Sequence, residues 1–160
     1  MPKIREATFE DLEKVLHIER ASYPSPWTLN FFRLMMNMSP GLFLVATENG
    51  DVVGYTVGEV EFRGRRGKAG HVMNIAVAEA HRERGIGTGL LDELERRFYE
   101  KGARVSYLEV RESNTVAQRL YRERGYVFLN RVENYYGDED GYVMVKKFEP
   151  NSKDANVTLV

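Results

Sequence analysis

Apolar residues recur along the chain with two periods. Ile86, Leu90, Leu91, Leu94 and Phe98 fall on one stripe at helical spacing, which predicts a helix over 85–101 with Gly102 at its C-terminal cap. Leu12, Val15, Leu16, Ile18 and Glu19 make a second amphipathic stretch, which predicts a helix over 9–23. Thr8 stands at its N-cap, and Pro24 and Pro26 end it. A Phe-, Leu- and Met-rich segment predicts a short helix over 28–38, and 114–124 predicts another that stops at Gly125. Between the helices lie short β-prone runs at 3–8, 42–47, 52–62, 71–77, 105–110, 126–134 and 142–148. Asn49-Gly50 joins two of them, a hairpin signal, and 137–141 joins the last two. Residues 63–70 read as a Gly- and Arg-rich loop. The segment 149–160 has no core period and reads as a flexible tail. The order β-α-α-β-β-β-α-β-α-β-β argues for an α/β (α+β) fold with a mixed sheet and helices on both faces.

Composition narrows the field. The chain has 160 residues, enough for one domain over 1–148. Its net charge of −1 excludes a globally basic nucleic-acid binder. It has no cysteine, which removes disulfide scaffolds, Cys–zinc sites and thiol nucleophiles. No apolar run is long enough to span a bilayer, and the first residues carry no apolar leader. The expectation is a cytoplasmic protein with no metal, no membrane and no nucleic acid among its partners.

The segment Arg82-Glu83-Arg84-Gly85-Ile86-Gly87-Thr88-Gly89 sits between a predicted strand and a predicted helix. Helix N-termini present unpaired amides and a positive dipole end, and glycines let a phosphate approach the backbone. A flexible turn before a helix has the same composition. A phosphate-binding P-loop would need Gly-Lys-Ser/Thr, and there is no lysine here. A dinucleotide fingerprint needs G-x-G-x-x-G, and here the glycines alternate.

The loop resembles another pattern, R/Q-x-x-G-x-G/A, in Arg82-x-x-Gly85-x-Gly87. That is the acyl-CoA pyrophosphate loop of the GCN5-related N-acetyltransferases (GNATs). Asn74-Ile75-Ala76-Val77, Leu108-Glu109-Val110-Arg111, Ser113-Asn114, Leu120-Tyr121 and Gly125-Tyr126 resemble the RimI-like branch. That branch comprises protein N-terminal acetyltransferases and their archaeal relatives. Ile18-Glu19, Pro24, Pro26-Trp27 and Asn134-Tyr135-Tyr136 match it too. The resemblance covers about residues 3–148. It implies a mostly antiparallel sheet of about seven strands, with strands 4 and 5 splayed around acetyl-CoA.

The resemblance implies that Arg82, Arg84, Gly85, Ile86, Gly87, Thr88 and Gly89 hold the pyrophosphate. Ile75, Ala76 and Val77 would pair with the pantetheine arm, with Asn114 and Tyr121 also touching the cofactor. Glu109 would be the general base and Tyr121 the general acid that protonates the CoA thiolate, with CoA as product. His71 matches a second base in archaeal relatives. Glu19, Tyr23, Pro24, Trp27, Asn74, Tyr135 and Tyr136 would border the acceptor, between aromatic walls that favour a thin protein N-terminus. Partners would be the N-termini of proteins or nascent chains, ribosomal proteins among them, and the enzyme a monomer or homodimer. By residue type alone, Glu109 reads as a salt-bridged surface carboxylate, Tyr121 as core and His71 as a hydrogen-bonded strand end. The basic stretch Arg63, Arg65, Arg66 and Lys68 reads as a solvated hairpin tip. Two other classes share the loop: a GNAT acting on a small-molecule amine such as a polyamine, and a non-catalytic acyl-CoA sensor.

Overall fold

The computed structural model describes residues 2–149; 150–160, most of the predicted tail, lie outside them. Seven strands and four α-helices follow one another as expected. They are β1 (Lys3–Glu6), α1 (Leu12–Ser22), α2 (Leu29–Met38), β2 (Phe43–Glu48), β3 (Asp51–Phe62), β4 (Lys68–Val77), α3 (Ile86–Glu100), β5 (Ala103–Arg111), α4 (Thr115–Glu123), β6 (Val127–Val132) and β7 (Gly141–Lys147). The strands form one sheet in the order β1-β2-β3-β4-β5-β7-β6. Pairs β1–β2, β2–β3, β5–β7 and β6–β7 are antiparallel, whereas β4 and β5 run parallel.

Local chemistry sets the boundaries. Asn49 and Gly50 both adopt left-handed backbone, with φ of 52° and 84°, as a tight two-residue hairpin turn requires. The start of α1 is wound more tightly than predicted. The Asp11 carboxylate accepts from the Thr8 amide at 2.7 Å and from its hydroxyl at 3.1 Å, so Phe9–Asp11 form a 3-10 turn. Asn114 caps α4 by accepting from the Ala117 amide at 3.1 Å. β4 starts at Lys68, ahead of the predicted position 71. Gly67 and Gly70 give the sequence the look of a loop, but Lys68 pairs with Ala103 and the parallel ladder carries the strand.

The residues pack as two compact units. Among the described residues the first comprises 2–59 and 73–97. Its core holds Leu12, Val15 and Ile18 of α1, Phe32 and Met35 of α2, and Phe43, Val45, Tyr55, Val57 and Ala76 of the strands. Among the described residues the second comprises 60–72 and 98–149. There β5 buries Ser106, Leu108 and Val110 and leaves Tyr107 and Glu109 half-buried, the alternation that an extended strand imposes. Gly70 is obligatory in this unit, because a Cβ there would lie 2.1 Å from the buried ring of Phe98. β6, at the sheet edge, exposes Val127, Phe128 and Leu129. Among the described residues no helix is long and apolar enough to cross a membrane.

Candidate active site

The glycine loop belongs to the first unit. Glu83 and Gly85 take φ of 62° and 81°, which turns the chain sharply into α3. The amides of Ile86, Gly87 and Thr88 are the helix's first, which helix geometry leaves without an intrahelical acceptor. Gly89 differs: its amide donates to the Gly85 carbonyl at 3.0 Å, and a Cβ on it would meet Ile4 at 3.2 Å. Its glycine therefore serves packing. Open space surrounds the Cβ position of Gly85. A bare helix N-terminus entered by glycines suits the doubly charged pyrophosphate of a CoA ester.

The flanking arginines are tied down. Arg84 donates to Glu48 at 2.5 Å and lies 3.1 Å from His81 Nδ1, and it holds the Glu48 carboxyl below the usual range. Arg82 donates from Nε to the Val77 carbonyl at 3.0 Å and from Nη2 to the Ser22 hydroxyl at 3.4 Å.

β4 alternates in what its backbone meets. The carbonyl of Asn74 accepts from Thr56, and that of Ala76 lies against Gly54. On the opposite edge the Ile75 carbonyl accepts the Tyr23 hydroxyl, and the Val77 carbonyl is the one Arg82 meets. The Ile75 amide donates to Asn74 Oδ1 at 3.1 Å.

Glu19, Tyr23, Trp27 and Asn74 also gather in the first unit. Glu19 is only 1% exposed. It accepts from the Tyr55 hydroxyl, from Asn74 Nδ2 at 2.7 Å and from the Trp27 amide at 3.0 Å. Burial raises its pKa even though all three donors oppose the shift. Glu19 is thus a buried clamp that fixes the chain at Trp27, while Pro24 lies exposed within the segment between α1 and α2. The Trp27 ring packs edge-on against Phe31, with centroids 4.6 Å apart.

The titratable cluster belongs to the second unit. His71 and Glu109 are brought together by the parallel ladder, where His71 registers with Tyr107 and Val72 with Leu108. His71 Nε2 lies 2.6 Å from Glu109 Oε1. The imidazole stacks on Tyr107, with centroids 4.4 Å apart and planes 2° from parallel. The Tyr107 hydroxyl donates to both oxygens of Glu61, at 2.6 and 2.8 Å. Arg63 pairs with Glu61 at 2.8 Å and lies over the Tyr107 ring, so it joins this cluster, while Arg63, Arg65, Arg66 and Lys68 are all exposed, as expected of a solvated tip.

Tyr121 is buried, with its ring edge-on to Tyr126, and burial alone pushes its hydroxyl up. At neutral pH it is a protonated phenol. Tyr135 and Tyr136 stand in the segment between β6 and β7, with ring centroids 4.8 Å apart. Burial and the neighbouring Glu109 carboxylate push Tyr135 up to about 12. Burial, chiefly, also raises Tyr136. Arg111 stacks over Tyr136 at 4.4 Å and ties down Asp138 and Glu139.

Sequence reasoning passed over Glu61 and Tyr55. The available signal was the alternation of Glu59 and Glu61 at the end of an apolar strand, a pattern that exposed strand ends share.

The model of the acetyltransferase (GNAT) family matches residues 12–126. An N-acetyltransferase of Methanocaldococcus jannaschii, described as uncharacterised, is 38% identical over 153 residues, covering 94% of each chain. An N-alpha-acetyltransferase of Sulfurisphaera tokodaii is 36% identical, covering 89% of this chain and 90% of its own. The crystal structure of Ard1 from Thermoplasma volcanium superposes with a TM-score of 0.85 at 30% identity, covering 92% of this chain and 98% of that one. The chain belongs to the GNAT acetyltransferase family and is an acyltransferase that uses acetyl-CoA.

Proposed function

We propose that the protein acetylates the free α-amino group of polypeptide N-termini, with Glu109 and His71 receiving the amine proton and Tyr121 protonating the CoA thiolate. The observation that carries the reading is the Glu109–His71 pair at 2.6 Å, with the raised Tyr135 phenol beside Glu109. The reaction matches the name of the Sulfurisphaera relative.

Acetyl-CoA supplies an activated thioester. The amides of Ile86 to Thr88, with Gly85 and Gly87 clearing the approach, would hold its pyrophosphate. The edge of β4 at Ile75–Val77 would receive its pantetheine arm like an added strand. Asn114 would meet the same arm.

An α-ammonium has a pKa of about 8, so a carboxylate paired with an imidazole suffices to strip its proton near neutrality. The N–H bond breaks, the electron pair stays on nitrogen, and the proton passes to the Glu109–His71 pair. The freed electron pair on nitrogen attacks the thioester carbonyl carbon; the C–N bond forms, the C–S bond breaks, and the departing thiolate takes a proton from the Tyr121 hydroxyl, which burial keeps protonated, while the second proton shed by the new amide nitrogen restores that hydroxyl. Tyr135 and Tyr136, and the Tyr23–Trp27 segment, would border the first residues of the acceptor.

The test is acetyl transfer to short peptides beginning Ser, Ala, Thr, Met or Glu, with an N-blocked lysine peptide and spermidine alongside. Free N-termini should react, and Glu109→Gln and Tyr121→Phe should each lower kcat by about 10²- to 10⁴-fold. Reaction of spermidine or lysine alone would leave the family and cofactor standing and overturn the acceptor.

A further inference from the structure

Glu61 is a half-buried carboxylate beside His71 that the proposed reaction leaves unused. It sits near the end of β3, beyond the hairpin partners of that strand, and its side chain is about two-thirds covered. Its Oε1 lies 3.6 Å from His71 Nδ1, while Glu109 faces Nε2 at 2.6 Å. Each nitrogen of the imidazole therefore faces a carboxylate.

We infer that Glu61 is a positioning residue for the proton-accepting pair, holding the His71 ring oriented and charge-balanced for Glu109; the inference rests on the proposed reading of Glu109 and His71.

The argument is one of donors and acceptors. A neutral imidazole carries one N–H and serves one carboxylate; the imidazolium carries two and serves both. Carboxylates on both nitrogens therefore favour the ring that has gained a proton. When the substrate ammonium gives up its proton, the Glu109–His71 pair gains one positive charge. Glu61 offsets that charge from the far nitrogen. The support around Glu61 fits this duty. Both its oxygens accept from the Tyr107 hydroxyl, and the Tyr107 ring forms the platform under His71. Arg63 grips Glu61 at 2.8 Å. The carboxylate cannot swing away without breaking all three contacts.

The groups bearing on His71 come from each neighbouring element. From β3 there is Glu61, with Glu59 two residues before it on the same strand face. From β5 there are Tyr107 and Glu109. Arg63 acts through Glu61, and Tyr135 through Glu109.

The test uses the full chain uniformly labelled with ¹⁵N. Its three histidines are resolved through their ring nitrogens, and His71 is assigned with His71→Asn. In wild type the His71 ring should stay protonated to a pH about one unit higher than in Glu61→Gln. The acid limb of kcat/KM should move to lower pH by the same amount. The plateau kcat should fall about threefold, as a weaker base predicts. KM for acetyl-CoA should stay within about twofold, and Glu61→Asp should restore most of the ring shift. Thermal melts of both variants control for folding. An unchanged ring titration and pH profile in a folded Glu61→Gln, with Glu109→Gln inactive, would overturn the role of Glu61 and leave the catalytic reading intact. A shifted ring together with full turnover in Glu109→Gln would overturn the catalytic reading, and this inference with it.

Discussion

The guanidinium of Arg111 lies over the ring of Tyr136, 4.4 Å from its centroid, while pairing with Asp138 at 2.8 Å and Glu139 at 3.0 Å. A planar fork satisfies all three at once; an ammonium cannot. Arg111→Lys should therefore lower kcat/KM for acceptor peptides about three- to tenfold, mostly through KM, with KM for acetyl-CoA little changed. Steady-state kinetics with both substrates varied checks this. An equal loss in kcat at saturating peptide would show that Arg111 does more than hold Tyr136.

Glu19 accepts from three donors, and an amide can offer its oxygen to only some of them. In Glu19→Gln the amide nitrogen must face a donor. Leaving a buried donor unsatisfied costs about 1–3 kcal/mol. Urea unfolding should show a loss of that size. The acceptor KM should rise as well, because the Trp27 amide loses its anchor.

Gly70→Ala forces a methyl into the space of the Phe98 ring, which is fully buried in a close-packed interior. Overpacking of this kind costs about 1–3 kcal/mol or more. A lowered melting temperature in Gly70→Ala, partly recovered in Gly70→Ala with Phe98→Leu, would locate the strain.

Asp11 sets the acid limit of the first helix. Hydrogen bonds from Arg5 at 2.7 and 2.9 Å, more than any other cause, hold its carboxyl below the ordinary carboxylate value. A folded pKa below the unfolded value of about 3.9 gives stability that is present above that value. It is lost as pH falls through the folded pKa. Asp11→Asn should thus be less stable than wild type at pH 6. The gap should narrow as pH drops below about 4, as denaturant melts across pH 2.5–6 will show.

The legible parts of the fold are those written in local chemistry. Asn49-Gly50 specifies its turn, Asn114 its helix start, and Gly102 and Gly125 the left-handed caps where helices stop. The Gly85–Gly89 loop and the Leu-Glu-Val-Arg strand carry their family in the residues themselves. The clustering around His71 is not local. Tyr107 and Glu61 meet across 46 positions of chain, and no short window around either shows it. Register decides such contacts, and register is set by pairing along whole strands. Lys68 joined a strand against its glycine neighbours for the same reason. The resemblance puts Glu19 at the acceptor's border, whereas the fold buries it among its own donors, a distinction that burial alone makes visible.

The two side chains that cover the outward carbonyls of Ile75 and Val77 bear on the protein's solubility. Met73–Val77 continue β4 past its last partner in β5, Val72↔Leu108, and a strand with bare acceptors invites a stray strand to join it. Tyr23 and Arg82 spend their donors there and blunt the template without a proline or a bulge. The guard is made of side chains, so it leaves the strand's own backbone groups in place beneath it.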